Sequence, residues 1–337
     1  MKYRMFIGVD VSKETLDFVV FDGLVKLLHM QVSNDKAGIS RFYKRLIKDI
    51  EVHKEECLFC LEHTGIYCNP FLTFASAKDL PVWLEDAKKI KVYHGLEREK
   101  NDALDALRIA EYGSAKFQKV QLWSPPREEI QQLKAMIKLR ERLVSSKKSL
   151  LAPLGEEKQF GNRKWAKEHD KLLQPVITEI VRKIKGLEQK IKQLINEDSH
   201  LKELYEQVSS VKGVGLIVSI NILVVTNEFK QITDPRKMAC NCGVAPFKKD
   251  SGKSVKGKSK VSHRANKSMK TLFNLAARAA VRHKGELRDY YLRKVAEGKN
   301  KMSVMNAVRN KIIHRIFACV RDGRKYEDSY LIPLLSP

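Results

Sequence analysis

No apolar run in these 337 residues is long enough to span a bilayer, and Met1 to Asp10 lacks the features of a signal peptide. The expectation is a protein with no membrane attachment, working in the cytoplasm. Acidic residues are in short supply, with 40 Asp and Glu against 64 Lys and Arg. The resulting net charge of +24 points to a polyanionic partner, nucleic acid first. Cysteine is scarce and unpatterned. Cys57, Cys60, Cys68, Cys240, Cys242 and Cys319 lack the paired, even spacing of a disulfide framework, so they are expected to be reduced. The CxxC at Cys57 and the CxC at Cys240 have spacings that zinc could use. Both lie in apolar segments that read as a strand and a helix, where cysteine behaves as a small hydrophobe, and no zinc site is expected.

What is present begins with an α/β pattern. The length excludes a small stapled fold and suggests two or three domains. Residues 5 to 22 alternate as a strand, a turn at Ser12 to Glu14 and a second strand. Asp10 closes the first apolar run, where a carboxylate is costly unless something compensates for its burial. Asp17 alternates with Leu16 and Phe18 and is expected to face solvent. An amphipathic helix over 34–50, a buried strand from Cys57 ending at Glu62, a helix over 70–78 and a strand over 82–85 follow. The stretch Asn101-Asp102-Ala103-Leu104-Asp105 then opens a helix and puts two carboxylates one turn apart on a shared face. In such a domain Asp10, Glu62, Asp102 and Asp105 could converge. Carboxylates so gathered stay ionised only around divalent cations, and Mg²⁺ (or Mn²⁺) takes a few carboxylates beside water and phosphate, chemistry suited to nucleic-acid strand cleavage.

Beyond Trp123-Ser124-Pro125-Pro126 the chain turns helical. From Leu173 to Val211, Ile177, Ile180, Ile184, Leu187, Ile191, Leu194, Leu201 and Val208 follow a heptad, interrupted at Asp198 and Tyr205, the seam of a coiled coil. The seam is open to two pairings, with another protomer or as an antiparallel pair closed by a loop over 155–168. Lys212-Gly213-Val214-Gly215 resembles the hairpin of a helix-hairpin-helix element, whose glycines let backbone amides approach a phosphate. Residues 238–270 read as a basic loop, in which Lys248, Lys249, Lys253, Lys256, Lys258, Arg264 and Lys267 would neutralise phosphates. Ser251, Ser254 and Ser259 lie within it, and chemistry alone does not rank them as nucleophiles.

GVDVSKETLD, LEHTGIY, KNDALDALRIA, the coiled coil, VKGVG, GVAPFKKDSGK and HRANKSMKTLFNLAARAA, in this order, resemble the DEDD transposases of the IS110 family over nearly the whole chain. The resemblance implies a RuvC-like, ribonuclease-H-type domain over 1–122, a coiled-coil region over 123–207 and a helical C-terminal transposase domain with a helix-hairpin-helix element over 208–337. It puts the family's four acids on Asp10, Glu62, Asp102 and Asp105, and its DNA-attacking serine, which follows a proline and precedes a glycine, on Ser251. Where the family has two glycines after that serine, this chain has Gly252-Lys253, with Ser254 close behind. The resemblance further implies a Mg-dependent recombinase that joins donor and target DNA through a covalent phosphoserine, guided by a structured bridge RNA and acting as a homo-oligomer, dimer or tetramer. The alternatives are a RuvC-type nuclease that uses water, and a nucleic-acid-binding protein without catalysis.

Overall fold

The computed structural model describes residues 3–94, 101–251, 255–261 and 265–327, with backbone alone over 246–251 and 255–261. The chain divides into two compact units, Met1–Pro125 and Pro126–Pro337. Among the described residues no helix is long and apolar enough to cross a membrane.

The first unit runs β1 (Met5–Val11), β2 (Thr15–Phe21), β3 (Lys26–Ser33), α1 (Lys36–Ile50), β4 (Cys57–Glu62), α2 (Asn69–Lys78), β5 (Val82–Glu85), α3 (Ala87–His94) and α4 (Asp102–Lys116). Its five strands form one mixed sheet in the order β3-β2-β1-β4-β5. The β1–β2 and β2–β3 pairs are antiparallel, and β4 and β5 extend the sheet in parallel with β1. This mixed α/β architecture is consistent with a RuvC-like domain. β3 and α3 are additions to the elements expected from the sequence. β3 is an edge strand whose side chains are mostly exposed or half-buried, so it lacks the apolar alternation by which β1 and β2 are recognised.

Strand alternation sorts the side chains onto two faces. Ile7, Val9, Leu16, Phe18, Phe59 and Leu61 pack against α1 and α2 through Ile39, Phe42, Leu46 and Phe71. Phe18 stacks on Phe42 with ring centroids 3.9 Å apart. The opposite face carries Phe6, Leu58, Cys60 and Trp83, covered by Ile90 of α3 and by Ile109 and Tyr112 of α4. Asp17 belongs to this second face and is only 4% exposed, which corrects the expectation that it meets solvent. β3 supplies what its burial requires, since His29 Nε2 and Gln31 Nε2 each lie 2.9 Å from one of its carboxylate oxygens.

The second unit comprises α5 (Glu128–Phe160), α6 (Arg163–Glu197), α7 (Ser199–Ser209), α8 (Leu216–Thr226), α9 (Pro235–Asn241), β6 (Pro246–Ser251), β7 (Val255–Val261), α10 (Lys267–Ala280), α11 (Glu286–Ala296) and α12 (Lys301–Arg321). α5 and α6 pack against each other as an antiparallel pair. The expected loop over 155–168 does not form, because helix continues to Phe160 and resumes at Arg163. The heptad pattern also ends sooner than its periodicity suggests. Asp198 leaves helical geometry and accepts from Leu201 N, so α7 starts as a separate helix. Segments 246–251 and 255–261 pair as two antiparallel strands where composition predicts a loop. Lysine, serine and glycine have little intrinsic strand preference, and the pairing comes from backbone groups that composition does not report.

The core of this unit gathers the roots of α5 and α6 (Leu133, Ile191), the largely apolar α8 (Ile220, Ile222) and the inner faces of α10 and α12 (Phe273, Ile312). Into it reaches the Glu228 carboxylate, whose side chain is fully buried. Arg127 answers it from the start of α5, with Nη2 2.5 Å from Glu228 Oε1 and Nη1 2.8 Å from Asp198 Oδ2. Asn227, Glu228 and Phe229 hold φ values of 48°, 55° and 61°, a left-handed run that costs each L-residue energy and is sustained by this clamp.

Removing the clamp leaves a buried, unpaired carboxylate. Arg127→Ala is expected to cost about 3–5 kcal/mol in urea unfolding. Arg127 donation holds the Asp198 carboxyl below its ordinary value. Burial pushes Glu228 up, but hydrogen bonds from Arg127 and Lys230 outweigh it and leave that group lowered too. Both groups therefore stabilise the fold above the ordinary carboxylate range and lose that contribution as pH falls through and below it. The melting temperature should drop on acidification, and drop less in Arg127→Ala.

Candidate active site

β1 and β4 run side by side in the same direction, with Val9 opposite Leu61, so Asp10 and Glu62 fall at neighbouring positions near the strand ends. Both follow the parity of Phe6, Gly8, Leu58 and Cys60 and face the α4 side of the sheet. α4 lies directly on β1 because residue 8 is glycine. A Cβ there would stand 1.9 Å from the Ala106 carbonyl oxygen and 2.6 Å from Ala110 N. The buried side of α4 is small to match, with Ala106, Ala110 and Gly113. Asn101 caps the helix by accepting from Ala103 N, which starts α4 at Asp102 and sets Asp102 and Asp105 in its first turn.

Asp10 and Glu62 are perturbed by burial and by the carboxylates around them. Asp10 is raised from 3.8 to about 6, first by burial and then by the charges of Asp105, Glu62 and Asp102. Glu62 is raised by burial and by Asp105 and Asp86, against a lowering influence from Lys91. Arg108, one turn further along α4, donates from Nη1 to Asp105 Oδ1 at 2.9 Å. Arg108 is not among the residues expected from the sequence, although its three-residue spacing from Asp105 signals the pair. Glu85, opposite Glu62 on β5, is occupied by Lys89 at 2.8 Å and by the Tyr112 hydroxyl at 3.2 Å.

Among the described residues no three His, Cys, Asp or Glu side chains close around one point as a metal cage. The donor chemistry nevertheless fits a hard divalent cation. Every ligand on offer is a carboxylate oxygen, and a bound cation would offset both the burial that mainly raises Asp10 and Glu62 and the carboxylate repulsion that adds to it. The thiols do not offer a zinc site. Cys57 and Cys60 lie on opposite faces of β4, one in each core. Burial pushes the thiols of Cys57 and Cys242 up to about 12.

The remaining candidates lie in the second unit. Ser251 is the last residue of β6, with Val255 of β7 as its Cα partner. Lys248 and Lys249 are on β6, Lys256 and Lys258 on β7, and Lys267 opens α10. Lys253, Ser254 and Arg264 lie outside the described residues. Gly213, at φ 88°, serves packing, since a Cβ would stand 2.2 Å from the Ala276 carbonyl oxygen of α10. Gly215 precedes α8 with open space around it, and Lys212 Nζ donates to the Lys284 carbonyl at 3.2 Å.

Residues 7–154 match a family model described as a DEDD transposase of the IS110 type, and residues 205–292 one described as the transposase IS116/IS110/IS902 family. The chain is 24% identical to an uncharacterised protein of insertion element IS116 from Streptomyces clavuligerus, over 45% of this chain and 38% of that one. Similarity to the pilin gene-inverting protein of Moraxella bovis, at 22% identity, covers 96% of this chain and 98% of that one. With the transposase of insertion sequence IS1111A from Coxiella burnetii it is 23% identical, over 97% of this chain and 92% of that one.

The seat of α4 on β1 makes a prediction. Gly8→Ala forces backbone apart and is expected to cost about 1–3 kcal/mol in urea unfolding. Because the displaced helix carries Asp102 and Asp105, calorimetric titration should show Mn²⁺ binding at least about tenfold weaker than in the unaltered chain, a difference of about 1.4 kcal/mol.

Proposed function

Since the chain belongs to the IS116/IS110/IS902 family of transposases, we propose that it is the site-specific recombinase of an insertion sequence, cutting and rejoining donor and target DNA through a serine. The observation that supports this reading is that Asp10 and Glu62 stand near the ends of two parallel strands and Asp102 and Asp105 in the first turn of the helix over them, with Asp10 raised to about 6 by burial and by the other three. Asp10, Glu62, Asp102 and Asp105 would hold Mg²⁺ or Mn²⁺. When bound, the cation supplies positive charge for a phosphodiester and for the charge that builds on it. Segment 1–122 carries these acids, 123–207 the assembly helices and 208–337 the serine and the basic hairpin.

Ser251 is the nucleophile in this reading. Its hydroxyl oxygen bonds to phosphorus and gives up its proton, the DNA oxygen leaves and takes one up, and the bond energy is kept for rejoining. Lys248, Lys249, Lys253, Lys256, Lys258, Arg264 and Lys267 neutralise DNA or RNA phosphates beside it, with Lys212, Gly213 and Gly215 as a second contact. Guidance by a structured bridge RNA rests on the family resemblance. Assembly into a dimer or tetramer is supported by the far end of the helical pair, where Phe160 is 82% and Leu172 73% exposed beside Trp165 and Val176. The work is done in the cytoplasm, on the cell's own DNA.

Ser251→Ala and Asp102→Asn are each expected to reduce recombination by about 10³-fold or more. A protein–DNA adduct resistant to denaturing electrophoresis should form with the unaltered chain and vanish in Ser251→Ala. Cutting that persists without the serine would instead favour a nuclease of RuvC type that uses water. Leu172→Glu, exposed and outside both units' cores, should lower the mass seen by light scattering while leaving the melting temperature within about 2 °C.

A further inference from the structure

On the side of the first unit opposite the acids, α1 and α2 enclose a groove of about 390 Å³. That volume falls in the range of about 300–1,000 Å³ typical of ligand sites. Its floor is apolar and aromatic. Tyr43 and Phe74 meet edge to face with centroids 5.6 Å apart, and Ile47 lies beside them, 39% exposed. Its rim is cationic, with Lys44 and Lys48 on α1 and Lys78 in the last turn of α2.

These lysines lack the partners that neighbouring cations have. Arg45 is paired with Asp49 at 2.9 Å and Lys89 with Glu85 at 2.8 Å, whereas Lys44, Lys48 and Lys78 have no carboxylate within ion-pair distance among the described residues. Lys44 and Lys48 stand four residues apart on one helix face, an arrangement disfavoured by mutual repulsion unless an anion lies between them. Their separation along the axis is about 6 Å, comparable to one nucleotide step of an extended strand. A ring-bearing floor bordered by unneutralised lysines is the chemistry of single-strand binding, in which a base stacks and the flanking phosphates meet the cations. Duplex DNA keeps its bases stacked and offers the floor nothing.

We propose that this groove holds an unpaired segment of single-stranded DNA, one base against Tyr43 and Phe74 and its phosphates on Lys44, Lys48 and Lys78. The inference rests on the reading of DNA as substrate, because strand exchange has to unpair DNA and so supplies the ligand. The sheet lies between the groove and Asp10, so the strand is held there and not cut.

The test uses the full chain and fluorescent dT₂₀, with anisotropy followed across a salt series. K44Q/K48Q/K78Q should bind at least about tenfold more weakly at low salt, with the log–log salt slope reduced by about 2, whereas the exposed-lysine control K26Q/K36Q/K119Q should stay within about threefold. An oligonucleotide bearing 5-iododeoxyuridine should cross-link to peptides containing Tyr43 or Phe74. Equal losses in the two triple variants, equal losses on a 20-base-pair duplex, or cross-links confined to other peptides would each overturn the proposal. Tighter, groove-dependent binding of rU₂₀ than of dT₂₀ would overturn DNA as the occupant. Adduct formation through Ser251 reports separately on the recombinase reading, so either can fail alone.

Discussion

The direct seat of α4 on β1 is the constraint on which the candidate site depends. A helix ordinarily packs on a sheet through intervening side chains, but here Gly8 removes them on the strand side and Ala106, Ala110 and Gly113 keep them small on the helix side. The close approach brings the first turn of α4 over the ends of β1 and β4. Burial there, and then the neighbouring carboxylates, raise the proton affinity of Asp10. The placement of Asp102 and Asp105 beside Asp10 and Glu62 follows from a packing decision made at one glycine.

The second unit depends on another buried charge. Glu228 sits in a left-handed turn that L-residues avoid, and Arg127 ties it to Asp198 at the start of α7. Three points far apart in sequence, at the roots of α5, α7 and the turn after α8, are thus fixed to one guanidinium. A planar, permanently charged fork suits this better than an ammonium would, since it serves two carboxylates at once. The long helical pair is anchored at that root, while its far end carries apolar side chains that α5 and α6 do not cover.

Much of this was legible in the residues. The alternation of β1 and β2, the amphipathic α1 and the run ending at Glu62 declared themselves through periodicity. β3 did not, because an edge strand with one wet face has no strong pattern. Asp17 escapes its pattern for a related reason: its burial is answered by His29 and Gln31, partners on the weakly patterned β3. Arg108 was legible in principle from its spacing to Asp105. The pairing of 246–251 with 255–261 was not, since these strands are held by backbone pairing that lysine-rich composition conceals.

The sequence by itself determined the elements of the first half, the strand-end and helix-start positions of Asp10, Glu62, Asp102 and Asp105, the basic charge and the family motifs. These are local properties, carried by side-chain periodicity, capping and composition. Only the tertiary structure decided that α5 and α6 pair within the chain, that Gly8 admits α4 onto β1, that Asp17 is buried, and that Tyr43 and Phe74 floor a groove rimmed by lysines. Each of these depends on which distant surface a residue meets, and one chain's periodicity holds no record of that partner.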